Sequence, residues 1–136
     1  MFYAFKTNQS PKEVVDRLRD KASNYGFVIR NVFDMKEVFL SHGVKVSKNE
    51  SYYSVMVCNP LRAYKSIREN PKRGAVLLQP KQIFIYQQEG DMDTTVSYMG
   101  LDKDFLSRII PEDEVFQNNL PYSCQKILDL IKDSMH

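Results

Sequence analysis

Apolar residues recur along this chain in two rhythms. Val14, Val15, Leu18, Ala22 and Tyr25 fall at helical spacing, the period that buries one stripe of a helix. The start of that helix is also marked. Ser10 supplies a capping hydroxyl, Pro11 suits a first helical position that needs no N–H, and Glu13 reaches back to the cap. Gly26 is its natural stop. The second rhythm is that of strands: "FYAF" near the start, "FVIRNVF" after Gly26, then "YYSVMVC", "QIFIYQ" and "MDTTVSYM". The last two are joined by "QEGD", a hairpin turn. "AVLLQ" also reads as a strand, with Pro80 after it at an edge, a bulge or a break.

Between the strands, "DMKEVFLSHG" predicts a short helix capped by Asp34 and ended by Gly43, and "NPLRAYKSIREN" predicts a second long helix. "VKVSKNES" is polar and turn-rich, and "PKRG" is a turn. The stretch "LDKDFLSRIIPEDEVFQNNL" predicts irregular chain or broken helix. A last helix then starts near Pro121, with Cys124, Ile127, Leu128, Ile131 and Met135 as its apolar stripe. Strands and helices in this order predict an α+β domain, a single mainly antiparallel sheet with helices packed on one face. Residues 1–100 form the expected core. Residues 101–136 form a C-terminal extension that packs on the same domain or on a dimer mate.

The 136 residues suffice for one sizeable core. Charge adds one feature: the net is +5 before Leu101 and −3 from there on, which favours the tail folding back onto its own body or onto a second copy. No basic segment followed by an apolar core opens the chain, and no apolar run nears membrane-spanning length. The expectation is a cytoplasmic protein with two reduced thiols, no membrane association and no disulfide.

Chemistry converges on one place. Cys58 ends a strand, Asn59 is among the best N-caps, and Pro60 fits the first turn of the next helix. A helix N-terminus favours anions and stabilises a neighbouring thiolate. Packing alone also accounts for a strand-end cysteine, and for Cys124 on the last apolar stripe. The cluster Arg62, Lys65, Arg68, Lys72 and Arg73 reads either as a phosphate patch or as the solvated face opposite Ala63, Tyr64 and Ile67. The second reading is favoured, and it argues against nucleic acid. Tyr52, Tyr53, Tyr64, Tyr86 and Tyr98 suit either a pocket wall or a core. His42 and His136 leave any zinc set short of ligands, with Cys58 and His42 the one pair worth following. No catalytic triad, phosphate-cradling glycine loop or dinucleotide fingerprint is present, and no cofactor is implied.

The stretch Cys58-Asn59-Pro60, Ala63, Gly74 and "LLQPKQIFIY" resembles the core of the bacterial domain of unknown function family 302, and the capped helix "SPKEVVDRLRDKASNYGF" is similar to that family's opening. The resemblance implies a TATA-binding-protein-like fold and homodimers. Family members often carry a cysteine just after the second proline, where this chain has Lys81, so a two-thiol mechanism does not carry over. The expected ligand site is Cys58, Asn59, Pro60 and Lys81, taking a small anionic or sulfur-containing ligand. The expectation leans away from an enzyme. The rival reading is thiol or sulfur chemistry, with Cys58 as nucleophile or persulfide carrier.

Overall fold

The computed structural model describes all of residues 1–136. Five strands form one antiparallel sheet in the order β1-β5-β4-β3-β2, where β1 is Phe2–Thr7, β2 Val28–Asp34, β3 Ser51–Cys58, β4 Gln82–Gln87 and β5 Thr94–Met99. The register pairs Phe5 with Val96, Val96 with Ile85, and Ile83 with both Tyr98 and Val55. Alternation therefore puts these side chains, with Val57, on one face. On that face lie α1, Pro11–Lys21, and the long terminal helix α6, Glu114–Ser134. The core forms between the layers from Val14, Leu18, Val55, Ile83, Ile85, Val96, Ile127, Leu130 and Ile131, all buried.

The predicted caps hold. Ser10 Oγ accepts from the Glu13 N–H at 3.2 Å with Pro11 at the first helical position. Gly26 closes the following turn at φ +80°, a left-handed value that glycine adopts without the usual steric penalty. The short helix α2, Met35–Ser41, is capped by Asp34, and its Phe39 meets Tyr52 edge-on. Tyr52 in turn stacks on Phe84 and Tyr86, on the sheet face away from α1 and α6.

Two local expectations are corrected. "AVLLQ" is not a strand: Arg73–Leu77 form a short helix, α4, and Gln79–Lys81 a single 3-10 turn before β4. Five apolar residues are too few for either period to declare itself. The choice falls to tertiary contacts, because Leu77 is buried and Arg73 is anchored by Asp113. The last helix also does not start near Pro121. Asp113 caps it, accepting from the Phe116 N–H at 3.1 Å, and Pro121 lies inside it. An interior proline removes one ladder bond and costs about 3 kcal/mol. Buried side chains on both flanks, Phe116 and Leu120 before it and Cys124, Ile127 and Leu128 after it, keep the helix continuous. Ahead of it, α5, Lys103–Ile109, is capped by Asp102.

Two ion pairs join the last segment to the body: Asp113 meets Arg73 at 2.5 Å and Asp133 meets Lys21 at 3.1 Å. The chain ends also knit in, since the Met1 ammonium donates to the Gly100 carbonyl at 2.7 Å and Gly100 donates back at 2.9 Å. Gly100 has no room for a side chain at ordinary distance, because a Cβ there would meet Cys124 Cβ at 3.3 Å.

Candidate functional site

The helix α3, Pro60–Glu69, leaves the end of β3 and runs beside α4 and α6. Between these helices lies a cavity of about 270 Å³, at the small end of ligand pockets. Its walls combine apolar surface, including Phe27, Leu77 and Phe116, with the polar groups of Tyr25, Asn59, Ser66 and Lys81. Arg62, Tyr122 and Lys126 complete it toward solvent. Arg62 and Tyr122 are exposed and Lys126 is half-buried, so exposure falls from these rim residues to Lys81 at the floor. Neither Arg62 nor Lys126 belongs to an ion pair, although Lys126 lies over the Tyr122 ring at 5.5 Å.

Lys81 is the unusual group. It is only 5% exposed, and its amine makes neither a hydrogen bond nor a salt bridge. Burial holds the ammonium below the ordinary lysine range, while charge interaction with Cys58 and Cys124 acts in the opposite direction. Tyr98, buried on the neighbouring strand β5, donates from its hydroxyl to the Pro80 carbonyl at 2.7 Å. That bond fixes the turn from which Lys81 projects. Burial also pushes the Tyr98 hydroxyl far above its usual range, so it stays a donor.

One wall is held by charge. Arg73 donates to Asp113 through Nε at 2.5 Å and Nη2 at 2.7 Å, and to Glu69 at 3.3 Å. Asn70 Nδ2 adds a bond to Asp113 at 2.9 Å. The Arg73 hydrogen bonds hold the Asp113 carboxyl well below its usual range against the opposing effect of burial. Arg73 is thereby raised above its own. A bidentate, fully enclosed pair of this kind is structural and leaves no free charge for a ligand.

The four predicted site residues are not all brought together. Asn59 and Lys81 line the cavity; Cys58 and Pro60 do not. Cys58 is a half-buried free thiol opposite Val28, and alternation after buried Val57 turns it to the other sheet face with Ser54 and Met56. The amides at the start of α3 are largely engaged. Asn59 Oδ1 accepts from Arg62 at 3.1 Å, its carbonyl accepts from Ala63 at 2.9 Å, and Pro60 has no N–H.

Other sequence candidates scatter. Arg73 leaves the predicted basic surface for the interior, and Tyr64, expected to pack, is 60% exposed. Tyr52 and Tyr86 stack on the far sheet face, whereas the tyrosines of the cavity are Tyr25 and Tyr122. His42 ends α2, its ring nitrogen 2.9 Å from the Val38 carbonyl, and belongs to no cluster of three or more His, Cys, Asp and Glu. No helix is long and apolar enough to cross a membrane. Tyr25, Ser66, Tyr122 and Lys126 escaped sequence reasoning. The spacing of Tyr122 and Lys126, one turn apart, was the available signal.

Residues 3–127 match the family model "Domain of unknown function DUF302". The crystal structure of the uncharacterized conserved protein DUF302 from Bacillus stearothermophilus superposes with a TM-score of 0.78 at 19% identity, covering 98% of this chain and 97% of that one. No curated protein matches the chain. The chain belongs to the DUF302 family.

Proposed function

We propose that this DUF302 protein is a small binding protein, not an enzyme, that holds a small anionic ligand in the cavity between α3 and α6, beside the Cys58-Asn59-Pro60 turn. The observation carrying this reading is Lys81, a largely buried side chain in the cavity lining whose ammonium has three donors and no hydrogen bond or ion pair within the protein. A lysine this far buried is rarely left unpaired, and an anion in the cavity pairs this one. Arg62 and Lys126 supply charge at the rim, and Asn59 fixes where α3 begins. Cys58 and Pro60 shape the turn behind the lining. Two charge-assisted contacts at about 1.5–3 kcal/mol each give an affinity near millimolar or tighter.

Calorimetric titration with inorganic phosphate and with malonate tests the reading. Saturable binding that Lys81→Met and Arg62→Glu both abolish, without loss of fold, supports it. Binding unaffected by Lys81→Met would overturn it.

A second reading rests on Cys58 being half-exposed and unpaired: a thiol- or sulfur-handling enzyme with Cys58 as nucleophile or persulfide carrier. Intact mass after exposure to a persulfide donor separates the two, since an adduct absent from Cys58→Ala supports the enzyme. We also propose a homodimer formed through the sheet face away from α1 and α6. That face exposes Phe2, Val28, Phe33 and Met99; Lys6 is the charge its paired positions carry, and exposed Arg30 stands at the β2 bulge. A largely apolar face with its two charges on the edge strands can meet its own copy across a two-fold axis. Sedimentation equilibrium checks it: Phe33→Glu should shift the mass to monomer. Two unpaired thiols suit the cytoplasm, and nucleic acid is not part of the proposal.

A further inference from the structure

We propose that Lys81 forms a reversible imine with a small carboxylate that also carries an aldehyde or ketone, a 2-oxo acid in its simplest form. The inference rests on the cavity reading above and deepens it by naming the ligand's chemistry. Three observations place the reacting groups.

Lys81 is enclosed at the floor, and no carboxylate reaches its amine. The only acidic group of the lining, Glu69, bonds to Arg73. Nothing in the cavity therefore pins the amine as a partnered ammonium. The cations without an ion pair, Arg62 and Lys126, are at the rim. A ligand with its carboxylate at the rim presents its other end to Lys81, and an electrophilic carbonyl carbon at that end meets a nucleophilic amine. Lysines made nucleophilic by an apolar pocket or by neighbouring cations follow the same physical rule.

The step balances without a co-reactant. The neutral amine attacks the carbonyl carbon, forming a C–N bond as the C=O π pair moves to oxygen. One N–H proton passes to that oxygen through water. The remaining N–H proton passes to the same oxygen as the C–O bond breaks, so water leaves and the nitrogen electron pair forms the C=N bond. Nothing is oxidised or reduced, and hydrolysis reverses the sequence. Each unit by which burial lowers the amine's proton affinity raises its neutral fraction about tenfold, which favours Lys81 over the eleven other lysines.

Reductive trapping of the full chain tests this, with glyoxylate as the probe and cyanoborohydride at neutral pH. The expected result is one adduct, equal in mass to glyoxylate less one oxygen atom and mapped to Lys81. It should form faster than on surface lysines, and Lys81→Arg should abolish it while keeping a positive charge. A hemithioacetal on Cys58 or Cys124 would not be fixed by the reductant, so it is not confused with the imine. Glycolate, which has the carboxylate but no carbonyl, separates this inference from the cavity reading. If glycolate raises the melting temperature through Arg62 and Lys81 but glyoxylate is never trapped at Lys81, the imine is wrong and the anion cavity stands. If neither compound stabilises the protein and adducts scatter over surface lysines, both readings fall.

Discussion

Replacing Asp113 by alanine should be among the most damaging single changes available in this protein. The carboxylate accepts two hydrogen bonds from Arg73, one from Asn70 and one from the Phe116 amide. Its loss leaves an almost fully buried guanidinium with only the exposed Glu69 as counter-charge, a situation worth about 3–5 kcal/mol. It also removes the cap of the longest helix, worth roughly 1 kcal/mol more. The expected loss is therefore about 4–6 kcal/mol, a large part of the roughly 5–15 kcal/mol that stabilises a typical domain. Urea denaturation followed by circular dichroism measures it, as a fall in the midpoint at unchanged slope. The double variant Arg73→Met, Asp113→Leu removes both charges together and should recover most of the loss, leaving about the cap term. A single variant within about 1 kcal/mol of wild type, or a double variant no better than the single, would refute the reasoning. The pH dependence follows the same pair. The Asp113 carboxyl is depressed in the folded state by its Arg73 hydrogen bonds, so its contribution is complete above the ordinary aspartate range. It fades as pH falls through and below that range.

Thr94 is 1% exposed and its hydroxyl is the one buried side-chain polar atom without a partner. Thr94→Val should raise stability by about 1 kcal/mol, read from the same denaturation curve, and a loss would mean that the hydroxyl is satisfied in solution. Tyr98→Phe leaves the Pro80 carbonyl buried without its donor. A cost of about 1–3 kcal/mol is expected, together with weaker phosphate binding in calorimetry because the turn carrying Lys81 loosens.

Much of the fold was legible because its signals are local. Ser10-Pro11 and Asn59-Pro60 start their helices in sequence as they do in space, and Gly26 ends a turn with a backbone angle that other residues resist. The sheet strands show their alternation in Val55 and Val57, or in Ile83 and Ile85. What failed was nonlocal. "AVLLQ" carries no period of its own, and its helical state depends on Arg73 finding Asp113 forty residues away. Pro121 looked like a helix start because the real cap, Asp113, sits beyond an intervening acidic and apolar stretch. The site was half legible for the same reason. Asn59 and Lys81 could be named from the chain, but the cavity exists only because α6 brings Phe116, Tyr122 and Lys126 alongside α3. Nothing in the residues around Cys58 shows that the strand turns its sulfur to the other face while Lys81 is enclosed.

Direct titration of the Lys81 amine bears hardest on the account, by nitrogen-15 NMR of lysine-labelled protein with and without phosphate. The free protein should show Lys81 titrating below the other lysines, and phosphate should raise it, because an anion at the cavity floor favours the ammonium. An amine that titrates with the surface lysines and ignores phosphate would contradict the central claim that an unpaired, buried lysine is the receiving group of this cavity.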